Sequence, residues 1–402
     1  MPLNEDTGGT PTCAISFACA DQSRKDLERI KRVYKSGQFS PGPMCREFED
    51  RFKELHGKKY AFFVNSGTDA LRLGLLALKE KYQWPDGSGV IVPSVTFVAS
   101  VNVILQANLK PIFVHVGMYD YNLNPWAMEH LLSCVNGSPI VAVMPVHLFG
   151  QIADMKEIMR VARKYKLRVI EDSCESVFSE QDGKKCGTFG DVSCFSTYQC
   201  HILATGVGGI AMTDSAELNE LMRSYGNHGR DPAYLPGFRT PPLSANLISR
   251  RFRFVRSGYS CRPSEFEAAL GIGQLERLES NLKARRRIAE LLILELSRVR
   301  NFILPVPEKG KTHSYMMFPI VISEGSKIRK NKLCLFLEKS GVQTRDMMPI
   351  TNQPVFKGIC DQTNNSVADW VNANGFYIPC HQGMTKEDVY RIRDVILDFL
   401  KK

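Results

Sequence analysis

The sequence predicts an α/β protein: a three-layer sandwich with a mostly parallel sheet covered by helices on both faces, followed by a smaller C-terminal α/β lobe. Two observations carry this. Short apolar runs of strand character alternate with helix-length segments over the first 215 residues, the pattern of a parallel sheet buried on both sides. The chain of 402 residues, 44% hydrophobic and 23% charged, is also long enough to bury a large core in more than one lobe.

The strand runs are Tyr60 to Val64, Val90 to Val92, Pro111 to Val114, Ile140 to Met144, Leu167 to Ile170, Val192 to Phe195 and Ile210 to Met212. Between most of them lie helical segments: Asp69 to Lys81, Ser100 to Ala107, Pro125 to Cys134 and Met155 to Lys166. In such a fold ligands bind beyond the carboxyl ends of the strands, so chemistry belongs in the loops that follow them. From Tyr225 to Ser260 the chain is polar and rich in Gly, Pro and Arg. A helical pattern then starts near Ser264 and is expected to break near Asn281. Strand-like Met316 to Val321 and helices over Lys330 to Lys339 and Lys386 to Leu400 form the smaller lobe. The expected division is a large domain over 14–260 and a small one over 261–402.

Composition excludes several classes. No apolar run reaches the roughly 18 to 20 residues of a membrane helix, and the N-terminus lacks signal-peptide character, so a cytoplasmic protein without membrane contact is expected. Twelve cysteines are scattered through apparent strands and helices without zinc spacing, and most read as reduced and buried, with no metal site. The net charge of +10 is dispersed apart from Arg250-Arg251, Arg253 and Arg285-Arg286-Arg287. It reads as surface helix charge rather than a nucleic-acid footprint, and leaves room for an anionic small substrate.

Three segments carry chemistry. In Asn65-Ser66-Gly67-Thr68-Asp69 a strand turns into a helix, and the free N–H groups of a helix start suit a phosphate; the same residues could simply cap the helix. Val169-Ile170-Glu171-Asp172 is a buried strand ending in acids, where Asp172 could hold a protonated ring nitrogen or, equally, cap a helix or bind a metal. The third segment runs from Cys194 through Ser196 and His201 to Gly209, and its Thr205-Gly-Val-Gly-Gly209 stretch lets the backbone run close to a ligand.

In this order the segments resemble the DegT/DnrJ/EryC1/StrS family of sugar aminotransferases, which have the aspartate-aminotransferase-like fold and use pyridoxal 5'-phosphate (PLP). The resemblance spans nearly the whole chain. It includes Gly37-Gln-Phe-Ser-Pro-Gly42, Asn65 to Leu71, Pro93-Ser-Val-Thr-Phe97, Pro145-Val-His147-Leu-Phe-Gly150, Glu171-Asp172, Gly187-Thr-Phe-Gly190, Gly258-Tyr-Ser-Cys-Arg262, Thr344-Arg345 and Ile378-Pro-Cys-His381. It implies that Ser66, Gly67, Thr68 and Ser196 hold the cofactor phosphate, Phe97 stacks on the pyridine ring, Asp172 pairs with the ring nitrogen and Glu175 lies near the phenolic oxygen. Ser260 stands where the family carries an asparagine that reaches the phosphate of a partner subunit, so a homodimer is implied, with a shorter side chain at that contact.

The family's Schiff-base lysine falls on His201. A branch of the family shares this exchange: the C3-dehydratases of nucleotide-linked 4-keto-6-deoxyhexoses, which hold pyridoxamine 5'-phosphate (PMP) noncovalently. Imidazole, with an ordinary pKa of about 6.5, can move protons near neutral pH yet cannot tether an aldehyde. The resemblance implies a nucleotide-diphosphate sugar as substrate and glutamate as amino donor. One variant of the branch uses an iron-sulfur cluster; Cys174 could match its first ligand, but 229–236 contains no cysteine, so no cluster is expected. The segment Thr344 to Phe356 looks more like the ordinary aminotransferases, and Ile202 and Val207 stand where the dehydratase branch usually has polar residues. Three readings therefore stand: a PMP-dependent sugar 3-dehydratase, a nucleotide-sugar aminotransferase with His201 as proton shuttle, and a noncatalytic relative. Lys184 and Lys185 could replace the missing lysine only if their turn entered the site, and the turn is expected to face solvent.

Overall fold

The computed structural model describes residues 15–19, 21–134, 137, 139–235, 252–348, 350–359 and 366–401. Helices α1 (Arg24–Ser36) and α2 (Pro43–His56) come first, followed by β1 (Tyr60–Val64), α3 (Gly67–Lys81), β2 (Gly89–Pro93), α4 (Val98–Gln106) and β3 (Lys110–Val114). Then follow α5 (Pro125–Cys134), β4 (Ile140–Val143), α6 (Met155–Lys164), β5 (Arg168–Asp172), a hairpin of β6 (Glu180–Gln181) and β7 (Lys184–Lys185), β8 (Val192–Ser196), β9 (Gly209–Thr213) and α7 (Ala216–Gly226). Every residue of β2, β8 and β9 is buried, as continuous apolar strands covered on both faces must be.

Seven of these strands form one sheet in the order β1-β9-β8-β5-β4-β2-β3. All neighbours are parallel except that β9 runs antiparallel to both β1 and β8. Alternate residues face opposite layers. Val90 and Val92 join Leu71, Leu75, Val101 and Leu218 from α3, α4 and α7. Ile91, Val143 and Val169 instead meet Met128, Ile158 and Val161 from α5 and α6. On that second face Phe63, Phe195 and Ile210 pack with Phe48 and Phe52 of α2. Helix, sheet and helix are the three layers expected.

The long helix α8 (Glu265–Leu296) starts with a capping box between Ser264 and Glu267 and runs unbroken for 32 residues. The expected break at Asn281 does not occur. Its amide donates to Asp21 at 2.6 Å, so a polar group that would disturb a buried helix face is satisfied by the N-terminal segment instead. Arg277, one turn earlier, binds the same aspartate. Beyond α8, four short strands, β10 (Phe302–Ile303), β11 (Phe318–Ile322), β12 (Arg345–Asp346) and β13 (Gly375–Ile378), form an antiparallel sheet in the order β10-β11-β13-β12. Helices α9 (Lys330–Lys339), α10 (Ser366–Asn374) and α11 (Lys386–Leu400) complete the chain, with Ile288 and Leu292 of α8, Leu337 of α9 and Ile392 of α11 closing that second core.

Arg285 of the basic run is buried and donates to the carbonyls of Tyr315, Met316 and Cys380, while Arg286 donates to that of His313. Arg285 and Arg286 are therefore structural rather than parts of an exposed binding patch, and only Arg287 of the run is exposed. Arg250 and Arg251 lie outside the described residues. Among the described residues, no helix is long and apolar enough to cross a membrane.

Candidate active site

The carboxyl ends of β1, β5 and β8 meet the small sheet around a cavity of about 590 Å³, within the usual size of a small-molecule site. Ser66, Gly67, Thr68, Phe97, Asp172, Glu175, Ser196 and His201 all line it. The fold thus gathers eight residues that the sequence spreads over 136 positions.

Ser66 caps α3, its hydroxyl accepting from the Asp69 N–H at 3.1 Å. This leaves the backbone at the helix start, together with Thr68 and Ser196, as the phosphate-binding candidates. Glycine is required at 67: a methyl there would stand 2.7 Å from the Ser196 Cβ and 2.8 Å from the Cys174 Sγ. On the return strand a methyl at Gly209 would lie 2.3 Å from the Ser66 carbonyl carbon. The turn, β8 and β9 are packed backbone against backbone.

Phe97, at the N-cap of α4, leaves 56% of its surface exposed, an open aromatic face on the cavity. Asp172 ends β5 and is buried, accepting from the Ser100 hydroxyl at 2.8 Å and the Cys174 N–H at 3.2 Å. Burial raises its pKa, with those neutral donors opposing. A buried carboxylate held by neutral donors fits a cationic ring N–H, which would supply the missing opposite charge. The cavity therefore satisfies the demands of a pyridine-ring phosphate ester at its phosphate, face and nitrogen.

Its neighbour Glu171 points the other way along the strand. It accepts from the N–H groups of Gly187, Phe189 and Gly190 and from His147 Nε2 at 3.1 Å. Burial acts to raise its pKa, but His147 and the backbone donors outweigh that and hold it low. Glu171 is a structural anchor. Glu175 faces the cavity, accepts the Phe149 N–H at 2.8 Å and is pushed up to about 8 by burial. Phe149 sits in the left-handed region at φ 58°, an uncommon conformation for an aromatic residue, which aims this donor at Glu175.

His201 sits in a loop that folds back on itself. The Thr197 N–H donates to the Gly208 carbonyl, Gln199 to Gly206, and His201 to Tyr198 at 2.8 Å. The imidazole meets the Tyr198 ring edge-on at 6.0 Å, and its Nδ1 is buried without a hydrogen-bond partner among the described residues. Burial drives its pKa down to about 4, opposed by backbone groups of Cys174 and Ser196. The expected value near 6.5 is corrected: desolvation keeps this ring neutral throughout the physiological range.

No lysine is among the described residues lining the cavity. Lys184 is exposed over the Phe189 ring, and the Lys185 ammonium donates to the Leu55 carbonyl at 2.7 Å, so neither replaces the missing lysine. Ser260 is the predicted site residue that the fold does not bring here. It is exposed, bridged to Asn227 and accepts from Arg262 at 3.1 Å.

Several cavity residues carried no readable assignment in the sequence. Ser100 holds Asp172 from α4. Ser16 and Phe17 reach the cavity through an N-terminal segment pinned to Val342 and Gln343. Arg345 and Tyr377 enter from the small sheet; Arg345 belongs to a recognisable motif, but nothing in the sequence places it in the same cavity as His201.

Comparison with known proteins agrees with this geometry. A GDP-perosamine synthase of Caulobacter vibrioides is 32% identical over 387 residues, covering 95% of this chain and 96% of that protein. A GDP-4-keto-6-deoxy-D-mannose 3-dehydratase of Yersinia pseudotuberculosis is 28% identical over 393 residues, covering 95% and 98%. Among solved structures, the Escherichia coli GDP-4-keto-6-deoxy-D-mannose-3-dehydratase with bound hydrated PLP superposes with a TM-score of 0.86 at 25% identity, covering 96% of this chain and all of that one. The family model of the DegT/DnrJ/EryC1/StrS aminotransferases matches residues 20–397, and with the fold and cavity described above the chain belongs to that family.

Proposed function

We propose that this protein is a PLP/PMP-dependent nucleotide-sugar enzyme that removes the C3 hydroxyl of a nucleotide-linked 4-keto-6-deoxyhexose, with His201 as the base. The observation that carries this reading is a neutral imidazole in a cavity with the features of a pyridine-phosphate site and without a lysine among its described lining residues.

The cofactor, when bound, supplies a primary amine and an electron-withdrawing pyridinium, the chemistry that expulsion of a hydroxyl beside a ketone requires. Asp172 holds the ring-nitrogen proton, Phe97 lies against the ring, and the 66–68 turn with Ser196 holds the phosphate. Glu175, largely protonated near neutral pH, offers a hydrogen bond at the phenolic oxygen. His201 takes a proton at the reacting carbon and returns it, and because imidazole forms no lasting bond to an aldehyde it leaves the cofactor free to depart as either form. Glutamate is the proposed amino donor, and a homodimer in which Ser260 serves the neighbouring subunit's site is the proposed assembly.

A second reading, a nucleotide-sugar aminotransferase, is favoured by the 32% identity to a GDP-perosamine synthase. Incubation with PLP, glutamate and a 4-keto-6-deoxy nucleotide sugar, followed by mass spectrometry, separates the two. A product that has lost the C3 hydroxyl and carries no amine supports dehydration. A product aminated at C4 with its C3 hydroxyl intact refutes dehydration and supports the second reading, and no conversion of any such sugar refutes both.

A further inference from the structure

The proposed base lacks the usual support. A catalytic base is ordinarily oriented by a third group hydrogen-bonded to it. His201 Nδ1 is instead buried without a hydrogen-bond partner among the described residues, and the groups that act on its proton are the backbone of Cys174 and Ser196 and the charge of Arg285. No carboxylate is among them. Tyr198 meets the ring only edge-on. The imidazole is therefore held chiefly by its own loop.

Two hydroxyls close that loop at its neck. The chain leaves β8 at Thr197 and returns at Thr205; both side chains are buried, and their Oγ1 atoms lie 2.6 Å apart. Thr205 Oγ1 is also 2.7 Å from the Val207 carbonyl and 3.2 Å from the Thr197 carbonyl. Carbonyl oxygens only accept, so the single Thr205 proton is directed to them, and the contact between the hydroxyls is made by the Thr197 proton. Both hydroxyl protons are thus used. Backbone bonds run beside them, from the Thr205 N–H to the Thr197 carbonyl and from the Thr197 N–H to the Gly208 carbonyl, each 2.9 Å. Glycine at 208 makes the room: a methyl there would stand 2.4 Å from Thr197 Oγ1 and 3.0 Å from Thr205 Oγ1. On the other side of His201, Ile202 and Leu203 are buried in the core that contains Phe63 and Phe195. His201 is carried between a hydroxyl clasp and an apolar plug.

We infer that Thr205, with Thr197, is a positioning residue for His201: the buried clasp between their hydroxyls fixes the loop that presents the imidazole to the reacting carbon; this rests on the base role proposed above. A hydroxyl pair that only stabilised the fold would behave differently. Loss of buried hydrogen bonds lowers stability in either case, but only a positioning clasp changes the enclosure of the ring and the rate of turnover while substrate binding stays the same. An opened loop admits water to the imidazole and removes the desolvation that keeps it neutral, and a displaced base costs rate steeply.

The test uses the full-length protein, loaded with PMP for steady-state kinetics on a 4-keto-6-deoxy nucleotide sugar and followed by carbon-13 histidine NMR for the His201 titration. Thr205→Val keeps the shape of the side chain and removes the hydroxyl. It is expected to lower kcat about 10- to 100-fold with KM within about 3-fold of wild type, and to raise the His201 midpoint from near 4 by about one pH unit or more. Thr205→Ser, which keeps the hydroxyl, should restore most of both. Thr197→Val, which leaves the Thr205 bond to Val207 in place, should give a smaller change of the same sign, and it carries the test should Thr205→Val not fold. The inference is overturned if Thr205→Val, or Thr197→Val in its place, melts earlier but keeps the wild-type kcat and His201 midpoint, or if Thr205→Ser is as impaired as Thr205→Val. A raised KM with kcat unchanged overturns it equally, because the loop would then be a wall for substrate rather than a mount for the base. Undiminished turnover in His201→Asn refutes the base role itself, a result read from that variant alone whatever the threonine variants do.

Discussion

The neutral state of His201 is the premise of the proposed chemistry, and it can be read directly. An ordinary imidazole with a pKa near 6.5 is protonated in about one molecule in four at pH 7, whereas one near 4 is protonated in about one in a thousand. The difference corresponds to about 3 kcal/mol in favour of the neutral ring. It also links protonation to folding. The unfolded chain takes up the proton below about 6.5 while the folded chain resists until about 4, so stability from this group is complete above 6.5 and is lost as pH falls from 6.5 towards 4. Between pH 7 and pH 5 the loss amounts to about 2 kcal/mol. The assay is a carbon-13 histidine titration of the cofactor-free protein by NMR, with His201→Asn identifying the signal, because His56 is also held near 4 and His313 near 3. The His201 signal should stay still from pH 8 to pH 5 and move only near 4. A midpoint at 6 or above would show that the ring is hydrated, and the argument that the fold presets a neutral base would fail.

Three further substitutions test the cavity. His201→Lys places an amine where the chain has an imidazole: borohydride should then fix a phosphopyridoxyl group on residue 201, detectable in a peptide mass map, and elimination should fall by at least about 100-fold. A map with the group on Lys184 or Lys185 of the wild-type protein would instead remove the basis for an untethered cofactor. Asp172→Asn should weaken cofactor affinity about 10- to 100-fold, the loss of one charge-assisted hydrogen bond. The same change should raise the melting temperature of the cofactor-free protein, because a carboxyl group disfavoured by burial is replaced by a neutral amide; a cofactor affinity equal to wild type would contradict the ring-nitrogen assignment. Gly67→Ala forces a methyl to within 2.8 Å of both Ser196 and Cys174, which should cost about 1–3 kcal/mol in thermal stability and weaken retention of inorganic phosphate and of cofactor together.

What the sequence made legible, and what it did not, divides along the range of the interactions involved. The strands from Tyr60 to Met212 and the helices Pro125–Cys134, Lys330–Lys339 and Lys386–Leu400 were readable because apolar runs and periodicity are local properties of the chain. The eight residues that meet in the cavity were readable for a related reason. Each follows a strand or opens a helix, and a sheet with parallel neighbours delivers those positions to one edge. Several misses depend on a partner distant in sequence. Asn281 looks like a helix breaker until Asp21, 260 positions earlier, accepts its amide. Arg285 looks like surface charge until three carbonyls from 315, 316 and 380 surround it. The pKa of His201 follows from the enclosure of its loop, which no window of neighbouring residues contains. Arg345 lines the same cavity as His201 because β12 pairs with β13 and the small sheet meets the strand ends of the large one. The proposed cofactor cradle lies at strand ends and helix starts that local pattern reveals, while Arg345 and Tyr377 reach the same cavity from the small sheet. In a family that hosts both aminotransferases and dehydratases, a substitution in the small sheet can alter the cavity wall without disturbing the backbone that the strand ends of the large sheet build.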